Sequence, residues 1–128
     1  WMRDTDRVTE INETHINKRY LPGLQLSENI TASHDLQGAI NGAAIIIVAI
    51  PAKAFRLVSH EAGKFIQPEQ IVVSTTKGIE QTSFKLMSQI LREETNSKHI
   101  GVISGPNLAK EIVAKMPSAT VIAKRLIC

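Results

Sequence analysis

Cysteine is almost missing from this chain: Cys128 is the single one among 128 residues. One thiol excludes an internal disulfide framework and offers no thiolate spacing for a metal, which fits a reducing compartment. Long apolar runs are missing too. The longest uncharged apolar stretch, Ala43 to Pro51, is less than half of the roughly 20 residues that a membrane span requires, and no charged-then-apolar leader precedes it. The sequence therefore predicts a cytoplasmic protein without stable membrane insertion. A strong excess of one charge is absent as well. Fifteen Lys and Arg are interleaved with twelve Asp and Glu for a formal net charge of +3, so no basic footprint for nucleic acid is visible.

Several catalytic and metal-binding patterns are also missing. The four histidines, His15, His34, His60 and His99, fall in no zinc-type spacing. His60-Glu61 lacks the second histidine of a metalloprotease helix, and neither a G-x-S-x-G turn nor a Walker lysine occurs. No metal site is expected. Glu13, Glu61 and Glu111 fall in different predicted helices and read as surface carboxylates. Internal repeats and low-complexity tracts are not found.

What is present is an ordinary globular composition, 43% hydrophobic and 21% charged, with apolar residues in two kinds of period. Asp4 or Thr5 starts a predicted helix over residues 5–16, with Val8, Ile11 and His15 on one face. "NKRYLPGLQLS" is an extended surface connection. Residues 29–32 read as a short strand, and Ser33 caps a helix carrying Leu36, Ala39, Ile40 and Ala43 at helical spacing. "AAIIIVAIP" then reads as a strand buried on both faces of a parallel sheet. Residues 52–64 follow as a helix with Ala54, Phe55, Val58 and Ala62 inward. "QIVVST" is the next strand, and "QTSFKLMSQILREE" a helix with Phe84, Met87, Ile90 and Leu91 on one face. "HIGVIS" reads as a strand, "PNLAKEIVAK" as a helix and "SATVIA" as a strand. Alternation of this kind predicts an α/β fold with a doubly wound, mostly parallel, Rossmann-like sheet.

Ligands of such sheets gather at the carboxyl ends of strands. In "STTKGIE", Lys77 leaves a strand just before the pliable Gly78, where its ammonium can meet phosphate or a polarised oxygen; a solvated loop lysine is the plainer alternative. In "SGPNLAKE", Ser104 or Gly105 can cap a helix opened by Pro106, with the amides of Asn107 to Ala109 turned towards an anion; simple capping is the alternative. If Trp1 ends the second strand of a dinucleotide fold, Arg3 stands where a ribose 2′-phosphate is met, with Asp4 close by; the alternative is that Arg3 and Asp4 merely pair at a helix start.

"NETHINKRYLPGLQLSENITASHDL", "IIIVAIPAKAF", "VVSTTKGIE" and "VISGPNLAKEI" together resemble, in order and spacing, the bacterial NAD(P)-dependent glycerol-3-phosphate dehydrogenases, from Trp1 to about Ala123. The resemblance implies reduction of dihydroxyacetone phosphate to sn-glycerol 3-phosphate, for phospholipid synthesis, with NAD or NADP as cofactor and NADPH slightly favoured. It implies that Arg3, Ile50, Pro51, Lys77 and Ala109 contact the cofactor and that Lys77, Gly105 and Asn107 contact the phosphorylated substrate, Lys77 orienting it. A homodimer is the implied assembly of the full-length enzyme. A related 3-hydroxyacid or 6-phosphogluconate type dehydrogenase, and a non-catalytic nucleotide-binding remnant, are the competing readings. The chain begins at Trp1, stops in an apolar stretch, and departs from the family after Ala123. Residues 1–128 are accordingly expected to be part of an NAD(P)-binding domain. Its first βα unit with the glycine-rich turn, and a helical substrate domain with the proton-donating lysine, are expected outside the chain. Expressed alone, such a piece is expected to be inactive and to aggregate.

Overall fold

A computed structural model describes residues 1–124. They form two compact units, one of Trp1–Ala39 with Leu108–Pro117 and the other of Ile40–Asn107 with Ser118 onward. From Arg125 on, the stretch expected to depart from the family lies outside the described residues.

In the first unit, α1 (Thr5–Thr14) starts where Asp4, in an extended conformation, accepts the Arg7 N–H on its carboxylate at 3.1 Å. It stops short of the expected residue 16, because His15 turns left-handed at φ 49° while donating its N–H to Ile11 O. Val8 and Ile11 are buried with Ala32, and Met2 and Leu26 pack against them. The strand expected at residues 29–32 does not form. Asn12 instead satisfies both backbone groups of Ala32, accepting its N–H at 2.7 Å and donating to its carbonyl at 3.0 Å. α2 (Leu36–Ile40) is shorter than its apolar spacing predicts, since Gly42 at φ 75° turns the chain before Ala43. The last helix among the described residues, α5 (Ala109–Val113), also belongs to this unit.

The second unit holds a four-stranded sheet in the order β1 (Ile45–Val48), β2 (Ile71–Ser74), β3 (His99–Ser104), β4 (Val121–Lys124). β1, β2 and β3 pair in parallel, as the alternation predicts. β4 runs antiparallel to β3, so the chain returns beside β3 in the opposite sense. The sheet is mostly parallel and Rossmann-like.

Register decides which side chains are covered. Ile45, Ile71 and His99 stand side by side, as do Ile46, Val72 and Ile100. Residues on the second row are inward: Val72 is fully buried and Ile100 nearly so. α4 (Met87–Glu94) packs on β2 and β3, and α3 (Ala52–Gly63) packs on α4. On the first row, Ile45 is 57% exposed, and Ile47, two residues along β1, 61%. β1 was expected to be buried on both faces. It is not: among the described residues its one strand neighbour is β2, and α4 packs on β2 and β3 rather than on β1.

α3 matches its apolar period, with Phe55, Val58 and Ala62 buried and Ala54 half-buried. Gly63 lies against α4: a Cβ there would stand 1.8 Å from Glu94 O, so only glycine permits this approach. α4 is shorter than expected. Met87, Ile90 and Leu91 are inward, but the helix begins at Met87 and Phe84 is 76% exposed. The preceding residues fold back on themselves instead, with Glu80 N–H donating to Lys85 O at 2.9 Å and Phe84 N–H to Glu80 O at 2.8 Å. The Gln89 side chain then accepts the Leu86 N–H at 2.8 Å and starts the helix.

Candidate functional site

The carboxyl ends of β1, β2 and β3 are tied to one another. Thr75 N–H donates to Val48 O at 3.1 Å, and Thr76 Oγ1 donates to Ile50 O at 2.7 Å. Ile50 is half-buried and Pro51 exposed as the chain enters α3. Beyond Thr76, the exposed Lys77 reaches the next strand end, its Nζ donating to Gly105 O at 2.5 Å. An ammonium carries three donors, so this bond orients the group while others remain for a ligand oxygen. Gly105 stands at φ 148°, and a Cβ on it would meet Ala119 O at 2.3 Å. Glycine is required there by both conformation and space.

Asn107 lies in the same unit and is held by the returning chain. Its Oδ1 accepts from Ser118 Oγ at 2.5 Å and from Thr120 Oγ1 at 3.1 Å. This directs the amide nitrogen as a donor. The helix expected from Pro106 onward is corrected, as is its row of outward amides. Asn107 N–H donates to Gly105 O at 2.8 Å, and α5 starts only at Ala109 with Leu108 at its cap. The tight turn at Gly105 consumes the first amide that an anion cradle needs, and five residues of helix give little dipole. Gly105 O thereby accepts from both Lys77 and Asn107.

Sequence reasoning missed a cluster beside this loop. Arg56, on α3, donates Nε to Glu80 Oε1 at 2.8 Å and Nη2 to Glu80 Oε2 at 2.9 Å. Its Nη1 donates to Glu93 Oε2 at 2.9 Å and to Glu94. Ser83 donates its hydroxyl to Glu80, His60 Nδ1 lies 2.9 Å from Glu94 Oε2, and Lys85 pairs with Glu93. The Arg56 guanidinium, and then the Ser83 hydroxyl, hold the Glu80 carboxyl down at about 2. Glu80, then Glu93 and Glu94, push the Arg56 guanidinium further up. Glu94 is lowered by His60 first and Arg56 second, and Glu93 by Lys85 first and Arg56 second. No local spacing announces these partners, since they come from α3, the loop after β2 and the end of α4.

An open groove of about 480 Å³ runs beside this cluster, lined by Pro51, Ala52, Lys53, Ile79, Glu80, Gln81 and Thr82. Glu80 is paired with Arg56, which also serves Glu93 and Glu94, and Lys53 is the basic residue on the lining. Ile50, Pro51, Lys77, Gly105 and Asn107 thus fall together in the second unit, whereas Arg3 and Ala109 belong to the first. Asp4 does not pair with Arg3. Its carboxylate is engaged by Arg7 at 2.7 Å, and Arg3 is exposed. Among the described residues no group of three or more His, Cys, Asp and Glu could hold a metal ion, and no helix is long and apolar enough to cross a membrane.

Residues 1–126 match the family model described as NAD-dependent glycerol-3-phosphate dehydrogenase N-terminus. A glycerol-3-phosphate dehydrogenase (NAD(P)+) of Acinetobacter baumannii (strain SDF) is 53% identical over 123 residues, 96% of this chain and 34% of its own. The corresponding protein of Acinetobacter baylyi is 51% identical over the same share. The crystal structure of glycerol-3-phosphate dehydrogenase from Coxiella burnetii superposes with a TM-score of 0.90 at 30% identity, covering 98% of this chain and 38% of that one. The chain spans about a third of the length of the curated relatives it matches. Sequence and fold agree, and the chain belongs to the NAD(P)-dependent glycerol-3-phosphate dehydrogenase family, whose N-terminal region it represents.

Proposed function

We propose that this chain is part of the NAD(P)-binding domain of a cytoplasmic enzyme that reduces dihydroxyacetone phosphate to sn-glycerol 3-phosphate. The observation that carries the reading is the Lys77 Nζ to Gly105 O bond at 2.5 Å, which brings an ammonium from one strand end to the backbone of the next. The exposed strand ends, with Lys53 on the groove beside them, fit an anionic dinucleotide. When bound, the nicotinamide supplies the hydride.

The chain's own residues hold and orient the substrate. Negative charge grows on the carbonyl oxygen as hydride arrives at the carbon, and the Lys77 ammonium stabilises that charge. Its bond to Gly105 O fixes its position before substrate enters. Asn107, clamped through its Oδ1 by Ser118 and Thr120, presents its amide nitrogen to the glycerol phosphate. Ile50, Pro51 and Ala109 contact the cofactor, and the positive Arg3 favours NADPH. The proton comes from a lysine of the helical substrate domain, so the 128 residues alone do not turn over.

The test is an assay of the full-length enzyme with dihydroxyacetone phosphate and each reduced cofactor. Lys77→Ala is expected to lower kcat/KM by at least about 100-fold, as for loss of a group that stabilises the transition state. NADPH is expected to have the lower KM. Unchanged turnover in Lys77→Ala, or a preference for 3-hydroxyacids or 6-phosphogluconate, would overturn the reading.

A further inference from the structure

The loop that carries Lys77 is anchored on both sides. On the near side are the Thr75 N–H and Thr76 Oγ1 bonds to Val48 O and Ile50 O. On the far side, Glu80 takes two parallel N–H donors from Arg56, at 2.8 and 2.9 Å. A paired fork of this kind fixes a carboxylate in plane and direction as well as in distance. Arg56 is itself braced, since its remaining Nη1 donates to Glu93 and Glu94 at the end of α4. Glu80 is held through its backbone as well, by Lys85 O at 2.9 Å.

Between Lys77 and this anchor stand only Gly78 and Ile79, and Gly78 sits at φ 112°. A glycine there reaches the conformation without a Cβ penalty, but it leaves the link pliable unless its far end is fixed. Ile79 contributes an antiparallel bridge to Leu86, which belongs to the same fold-back that Glu80 closes. The backbone on either side of Lys77 is thus fixed at Thr76 and at Glu80.

We propose that Arg56 and Glu80 are positioning residues that set the reach of the Lys77 ammonium. The inference rests on the reading that Lys77 contacts the substrate. Neither residue needs to touch substrate or cofactor; their effect passes through two residues of backbone to Lys77.

The experiment uses the full-length enzyme with Glu80→Gln, Arg56→Gln, Arg56→Lys and the double variant Arg56→Gln/Glu80→Gln. Ile90→Val trims the buried face of α4 and serves as a control for stability. Each of the first three is expected to lower kcat/KM for dihydroxyacetone phosphate by about 10- to 100-fold, the range produced by small misplacement of a catalytic group. Arg56→Lys does not rescue, because one ammonium cannot supply the paired fork. The double variant loses little more than either single one, as expected for a shared interaction. Ile90→Val lowers Tm and keeps its kcat/KM.

Wild-type turnover in Glu80→Gln overturns the proposal, and so does an equal loss in Ile90→Val at a matched fall in Tm. Hydrogen exchange at the amides of Lys77 and Gly78 gives a second readout and decides the matter if Arg56→Gln does not fold. Exchange is expected to quicken in Glu80→Gln and not in Ile90→Val; no difference between the two overturns the proposal. Full activity of Lys77→Ala removes the reading of the site itself. An inactive Lys77→Ala beside a fully active Glu80→Gln removes the positioning role alone.

Discussion

The Glu80 carboxylate is held well below the ordinary carboxylate range, and the cause is geometric. The Arg56 fork and the Ser83 hydroxyl favour the charged form and hold its titration at about 2. A depressed acid adds stability that is fully present above the ordinary carboxylate range, near 4.3, and is lost as pH falls through the folded value. The window is therefore the acid limb between those limits. Urea midpoints of the wild-type chain are expected to fall steeply there, and those of Glu80→Gln to fall less. The fall does not vanish in the variant, since Glu61, Glu69, Glu93 and Glu94 are lowered as well. Identical slopes for both proteins would show that the fork does not contribute. Added salt should weaken the difference, because the cluster is only partly buried and solvent reaches it.

At the scale of elements, apolar spacing located α1, α3 and the inward face of α4, because burial of one face is what such spacing encodes. It misjudged where α4 begins. Phe84 continues the helical period of Met87 and Leu91, yet it stands at φ 56° on the fold-back and is 76% exposed. The competing interactions are the Glu80 and Lys85 backbone bonds and the Arg56 fork, all made with residues that local spacing does not reveal. Phe84→Ala is therefore expected to change stability by no more than about 0.5 kcal/mol, the range of surface substitutions. Truncation of a core phenylalanine costs about 3–5 kcal/mol. Urea denaturation separates the two outcomes. The strand expected at residues 29–32 failed for a like reason: Asn12 supplies the bonds that a neighbouring strand would have made.

At the scale of the whole molecule, the sheet leaves one side bare among the described residues. Ile45 and Ile47 are 57% and 61% exposed, and Ile71 beside them 41%. A contiguous β-branched patch along an edge strand is a template for association. The 128-residue chain is accordingly expected to sediment as oligomers or aggregates. Ile45→Thr with Ile47→Thr should shift it towards monomer while keeping a cooperative melt, since threonine keeps the β-branched shape that strands favour. A wild-type chain that is already monodisperse and monomeric would show that this face is not adhesive.

The sequence by itself determined the three parallel strands, the inward residues of α1 and α3 and the family, because period and motif are local properties of the chain. It also singled out Lys77, Gly105 and Asn107. Only the tertiary structure decided that β4 runs antiparallel, that α5 begins at Ala109, and that Lys77 lies on Gly105 O. It alone brought Arg56 to Glu80, Glu93 and Glu94. Apart from the start of α5, which a local turn at Gly105 sets, the physical reason is common: each is a contact between segments separated in the chain, and its partner is chosen by packing rather than by neighbouring residues.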